Sequence, residues 1–108
     1  MAMPATAKTV DYDHLRVQAG EDLGVMREVL SLFVTHGEQV IGELERANDA
    51  QTWKQWTHTL KGSARGVGAF AVAEAAADAE RHLLDKTKLQ LLKTVFAEAR
   101  SYIGMHPV

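Results

Sequence analysis

The 108-residue sequence contains no cysteine. Disulfides, thiolate metal sites and cysteine nucleophiles are thereby excluded, and a reducing compartment is compatible with that absence. It has only two prolines, Pro4 and Pro107, so the chain from Thr6 to His106 holds no residue that breaks a helix by ring closure. Neither charge sign dominates: 12 Lys and Arg stand against 14 Asp and Glu, a formal net charge of −2. There is no basic field to hold nucleic acid or an anionic membrane, and neither is expected as a partner. No apolar run approaches the roughly 18–20 residues that span a bilayer. The opening Met-Ala-Met-Pro-Ala-Thr-Ala has no basic segment followed by an apolar one, so no signal peptide is expected and the default location is the cytoplasm. Alternating β patterns, hairpin signals, a Walker loop and a glycine-rich ATP lid are all missing.

The apolar fraction of 46% is too high for a disordered chain and suits a soluble domain. The length suits one domain over 1–108, with 1–9 expected as a flexible N-terminal extension. Alanine, leucine, glutamate and lysine are frequent, which favours helix throughout. A short lead-in helix is predicted from about Asp11 to Ala19, ended by Gly20. Asp22 is placed to cap a long helix to about Ala47, whose apolar positions Leu23, Met26, Leu30, Phe33, Val40, Ile41 and Leu44 follow amphipathic spacing. Asn48-Asp49 reads as a turn. Either Asp49, or Thr52 with Gln55, can cap the next helix, predicted from about Ala50 to Arg65 with Gly66 and Gly68 at its end. An alanine-rich helix is expected from about Phe70 to Leu84, then a turn at Asp85-Lys86. Thr87 with Gln90 reads as the capping box of a last helix through Ile103, stopped by Gly104 and Pro107. Short connections between long amphipathic helices imply an all-α fold: an antiparallel up-down four-helix bundle with a short extra N-terminal helix.

The third helix carries the chemical signal. With His58 at zero on a wheel of about 100° per residue, Lys61 falls near 300°, Gly62 near 40° and Arg65 near 340°. Trp53, Trp56, Leu60, Ser63, Ala64 and Val67 fall between roughly 140° and 240°, so the apolar face lies opposite the histidine. An outward imidazole on a rigid helix suits a relay nucleophile, since an ordinary histidine pKa of about 6.5 leaves much of it neutral with a free lone pair. A phosphoryl group there would add nearly two negative charges, which Lys61, one turn away, and Arg65, more loosely, can meet. Glycine within a helix costs about 1 kcal/mol relative to alanine, so Gly62 beside the imidazole reads as clearance for an incoming partner. Taken singly these are ordinary features: a surface histidine, a lysine at i+3, glycines near a helix end, tryptophans in a core. The whole string is the specific feature.

His58-Thr59-Leu60-Lys61-Gly62-Ser63-Ala64, followed by Gly68-Ala69, resembles the signature of histidine-containing phosphotransfer (HPt) domains. The resemblance extends to an apolar helix with Leu32-Phe33 upstream, an aspartate nine residues before the histidine, and an alanine-rich helix ending in Ala79-Glu80. It implies that His58 is the phosphoacceptor, modified at Nε2, with Lys61 as charge partner and Gly62 as access glycine. Gly68 takes a structural role in the following turn. Ser63 matches a small residue of the motif, and the wheel makes it a packing contact. Many members place a polar side chain of the preceding helix beside the acceptor, and His36 is the candidate here. Arg65 is outside the family pattern and rests on geometry alone.

By the same resemblance the chain is expected to be a phosphoryl carrier without ATP-binding or autokinase activity. It would take phosphate from a receiver-domain aspartate, a sensor histidine kinase or a hybrid kinase, and pass it to a response-regulator receiver. No cofactor is expected on this chain, and the Mg²⁺ of the transfer would belong to the receiver. Beginning at Met1, it is expected to be a free-standing monomer, docking through its second and third helices. A metal-binding bundle lacks support, because the five histidines include no pair at i, i+3 or i, i+4 and no Glu-x-x-His, so no metal site is expected. A haem- or ligand-binding bundle has no motif. A helical docking module that carries no phosphate is the alternative reading.

Overall fold

The computed structural model describes residues 9–108, and the described residues contain five helices and no strand. Residues 1–8, most of the expected N-terminal extension, lie outside the described residues. The helices are α1 (Tyr12–Gln18), α2 (Leu23–Arg46), α3 (Ala50–Val67), α4 (Phe70–Arg81) and α5 (Lys86–Met105). Helices α2 to α5 pack in a ring: each lies against the next, and α5 returns to α2. The short α1 lies across α2 and α3. The all-helical bundle with an extra N-terminal helix is the architecture expected from the sequence.

Four helices begin at an aspartate whose carboxylate accepts a backbone N–H of the first turn: Asp11 from His14, Asp22 from Val25, Asp49 from Thr52 and Asp85 from Thr87. Each cap satisfies an otherwise unpaired donor and contributes about 1 kcal/mol. Asp49 therefore starts α3, and the rival Thr52 joins that cap, donating its hydroxyl to the same carboxylate at 2.8 Å. Asp85 likewise displaces Thr87 as the cap of α5, and Lys86 is already helical. Helix α4 has no side-chain cap. Its start is held by the end of α3, where Gly68 adopts φ 84°, its N–H bonds the Arg65 carbonyl, and the Ala69 N–H bonds the Ala64 carbonyl at 2.8 Å. This reciprocal pair closes α3 and turns the chain directly into α4. A Cβ at Gly68 would come within 2.6 Å of the Asp11 carbonyl oxygen, so the N-terminal segment fits only against bare backbone.

Several helix ends differ from the sequence expectation. Helix α3 continues through Gly66 to Val67. Helix α4 stops at Arg81 rather than Leu84, because the chain bends at His82 and passes through Leu84 at φ 61° to reach the Asp85 cap. Helix α5 runs through Gly104 to Met105, since nothing crowds that glycine and its helical conformation is open to it. Leu23, expected on the core face of α2, is exposed, while Met26, Leu30, Phe33, Val40 and Leu44 are buried.

The core centres on Trp53, which is fully buried and donates its indole N–H to the Ala79 carbonyl at 2.7 Å. Leu44, Leu60, Val72 and Leu92 pack in the same cluster. The buried alanines of α4 (Ala73, Ala76 and Ala79 among them) occupy little space and let α3 and α4 approach closely. On the far side of the bundle, Gly37 of α2 serves the same end. A Cβ there would overlap the ring of Phe96, which lies against Phe33 at a centroid distance of 5.8 Å. Lys86 closes the lower edge, its ammonium reaching the Leu44 carbonyl at 3.3 Å and lying 5.5 Å over the Trp53 ring.

Candidate functional site

On α3 the buried residues are Trp53, Thr57, Leu60, Ala64 and Val67, at the three-four spacing of a single stripe. That stripe turns His58 outward, and its side chain is 69% exposed. Thr57, next to it, points inward and satisfies its hydroxyl on the Trp53 carbonyl at 2.9 Å. The imidazole thus stands on a helix anchored directly behind it.

Lys61 departs from the simple wheel. Its side chain is only 19% exposed, because α4 packs along that side of α3. Its ammonium lies 2.7 Å from Glu80 Oε1, while Glu80 Oε2 lies 3.2 Å from His58 Nδ1. One carboxylate therefore joins the lysine and the histidine. The Lys61 ammonium, and after it His58, holds the Glu80 carboxyl below its ordinary pKa against the opposing effect of burial. Ionised Glu80 has no proton to give, so the Nδ1 contact requires Nδ1 to carry the hydrogen. The Nε2 lone pair is then the free one. Trp53 contributes from below: its bond to the Ala79 carbonyl fixes the backbone immediately before Glu80.

Glu80 is the residue to which sequence reasoning gave no role. A signal for it exists. Glu80 follows Ala73, Ala76 and Ala77 at i+7, i+4 and i+3, so it continues the buried stripe of α4 at a point where an alanine would be expected. A carboxylate placed there needs a partner.

Gly62 has open space where a side chain would begin, with no atom within 4 Å of an added Cβ. Nothing inside the fold requires glycine at this point. Gly68, by contrast, is fixed by its positive φ and by Asp11. Ser63 is half-buried and donates its hydroxyl to the Leu60 carbonyl at 3.2 Å. Arg65 is exposed and has no ion-pair partner among the described residues.

His36 is set apart from this cluster. It lines a groove of about 640 Å³ between α2 and α3 together with Val29, Leu32, Phe33, Ser63 and Gly66. His58 lines a different hollow, of about 470 Å³, with Gln51, Lys54, Gln55, Thr59 and Glu80. The structure thus brings His58 and Lys61 together around Glu80, and places His36 with Ser63 in the neighbouring groove.

A helical bundle that presents the His58 imidazole on the outer face of α3, against a carboxylate that a lysine also engages, has the form of a phosphocarrier module of two-component relays. The family model of the Hpt domain matches residues 13–103, nearly the whole chain, and the chain belongs to that family. Hpt domains are phosphocarriers rather than ATP-using kinases, and they work with receiver domains and kinases. Neither the curated proteins nor the solved structures include a match to this chain. No helix among the described residues is long and apolar enough to cross a membrane.

Proposed function

We propose that this chain carries phosphate on His58 Nε2, accepting it from a receiver aspartate or a kinase and passing it to another receiver aspartate in the cytoplasm. The observation that carries this reading is the exposed imidazole whose Nδ1 is engaged by Glu80. When a receiver aspartate is the donor, the Nε2 lone pair attacks phosphorus, the N–P bond forms, and the acyl phosphate P–O bond breaks to release the donor carboxylate; when a kinase phosphohistidine is the donor, its P–N bond breaks and its imidazole leaves. The ring then bears phosphorus on Nε2 and hydrogen on Nδ1, and so gains a positive charge. Glu80 offsets that charge where it arises. Transfer onward reverses the sequence and restores the neutral ring. The reading needs no cofactor on this chain, the Mg²⁺ of the transfer being held by the carboxylates of the receiver.

Docking on α2 and α3 is supported by the groove beside His36. Leu32 is 60% exposed there, with Val29 and Phe33 beneath it, an apolar centre of the kind that a protein partner covers. Gly62 keeps the approach to the ring unobstructed, and Arg65 stands on the same outer stripe, where it would meet the charge of a partner. The chain acts as a monomer in this reading.

Incubation with a phosphorylated receiver, or with a kinase and ATP, tests it. An acid-labile, base-stable label should appear on the wild type and be lost in His58→Gln. A His58→Gln protein that labels equally would refute the assignment. A wild type that binds receivers and remains unlabelled would leave a docking module that carries no phosphate.

A further inference from the structure

Lys61 is already engaged. Its ammonium is 2.7 Å from Glu80, and both side chains are largely withdrawn from solvent. A phosphoryl group on His58 would bring nearly two negative charges next to that carboxylate. Lys61 can meet them only by dividing itself between two anions. A further cation would pair the phosphoryl oxygens without drawing Lys61 away from Glu80.

Two more cations share the His58 stripe. At about 100° per residue, Lys54 falls near 320° and Arg65 near 340° relative to His58. Distance separates them: along the axis Lys54 is about 6 Å away and Arg65 about 10 Å. The hollow lined by His58 separates them further. Its other walls are Gln51, Lys54, Gln55, Thr59 and Glu80, with Arg65 outside it. Lys54 is exposed, and among the described residues no ion pair or hydrogen bond engages its ammonium. Gln51 and Gln55 add two neutral amide donors to the same walls.

We propose that Lys54 is the phosphoryl-binding cation of this chain, pairing with the oxygens of the group on His58 Nε2, while Lys61 remains on Glu80 and orients the ring. The proposal rests on the phosphotransfer reading above and adds a residue to that site. Gln51 and Gln55 complete the cradle as neutral donors.

Phosphoramidate tests this without a partner protein, so docking effects do not enter. Nε2 attacks phosphorus, the N–P bond to the ring forms, and the P–N bond of the donor breaks to release ammonia. Phosphorylation rates and the ³¹P titration of the phosphohistidine are compared in the wild type, Lys54→Met, Lys54→Arg and Arg65→Met. Lys54→Met should slow phosphorylation about tenfold, the effect of losing one charge-assisted hydrogen bond. It should also move the ³¹P titration to higher pH, because the dianion has lost its counter-charge. Lys54→Arg should recover most of both effects, and Arg65→Met should move both less than Lys54→Met does. A Lys54→Met protein with wild-type rate and unshifted ³¹P titration overturns the proposal. So does a shift produced equally by Arg65→Met. A wild type that takes no phosphate on His58 overturns the phosphotransfer reading itself, and this proposal with it.

Discussion

Trp53 and Ala79 are joined across the α3–α4 interface by an indole N–H···O=C bond of 2.7 Å, one residue before the carboxylate that holds His58. A core residue is thereby tied to the backbone beside the carboxylate that contacts a surface ring. Trp53→Phe removes this donor while keeping most of the aromatic volume. We expect a loss of about 1–3 kcal/mol from the missing bond and the imperfect filling of its site. Chemical denaturation measures the first effect. A slower phosphorylation of His58 in protein that is still folded would report the loosened Glu80, and an unchanged rate would show that α4 keeps its position without the tryptophan.

Glu80→Gln preserves shape and removes charge. In the wild type, ionised Glu80 favours hydrogen on Nδ1, and the variant should shift the neutral ring toward a mixture of tautomers. Nitrogen-15 NMR at alkaline pH distinguishes the two forms. Identical tautomer populations in both proteins would mean that the 3.2 Å contact does not orient the ring.

The same carboxylate predicts an acid dependence of stability. Its folded pKa is depressed, chiefly by the Lys61 ammonium, so the unfolded chain takes up the proton first as pH falls. The stabilisation is whole above the unfolded carboxyl value of about 4.3 and disappears as pH falls through the lower folded value. Wild type should therefore melt above Glu80→Gln at pH 7, with the gap closing as the solution is acidified below about pH 4. A gap that stays constant over that range would exclude the pairing as its origin.

Gly62 and Gly68 should respond in opposite ways. Gly62→Ala enters open space and should stabilise the helix by about 0.5–1 kcal/mol. Gly62→Gln should leave the fold intact and impair transfer between proteins, because its side chain projects beside the ring. Transfer at the normal rate in Gly62→Gln would dispose of the clearance argument. Gly68→Ala must adopt a left-handed backbone and also approach the Asp11 carbonyl, so it should lose more than about 1 kcal/mol. Thermal melts of the three variants make the comparison.

Gly37→Ala examines the bundle away from the site. The added methyl overlaps Phe96, and overpacking of this kind costs about 1–3 kcal/mol. His58 should still label normally at a temperature where the variant is folded. A strong loss of labelling there would connect the α2–α5 contact to the chemistry.

Helix order was legible because no proline interrupts the apolar runs, and the cap at Asp22 was legible as an aspartate before such a run, while Asp49 had a rival in Thr52 and the α5 cap proved to be Asp85 rather than Thr87. Helix ends were harder. Nothing in His82-Leu83-Leu84 announces a bend, and Leu84 takes a positive φ that its residue type ordinarily avoids. Gly104 resembles a stop signal, yet it is simply carried within α5. The outward face of His58 could be read from one helix alone. The withdrawal of Lys61 could not, because a single wheel says nothing about which helix packs alongside. Glu80 was half legible: the alanine stripe reveals that it turns inward, but only the packing of α4 on α3 reveals which groups receive it.

Helix α4 is fastened to α3 at both extremities, by the Gly68 turn at its beginning and by the indole bond near its end. The two helices are therefore pinned together on either side of the imidazole. In the phosphotransfer reading, a visiting protein would meet a braced face, and the adjustments of the encounter would fall on its own loops.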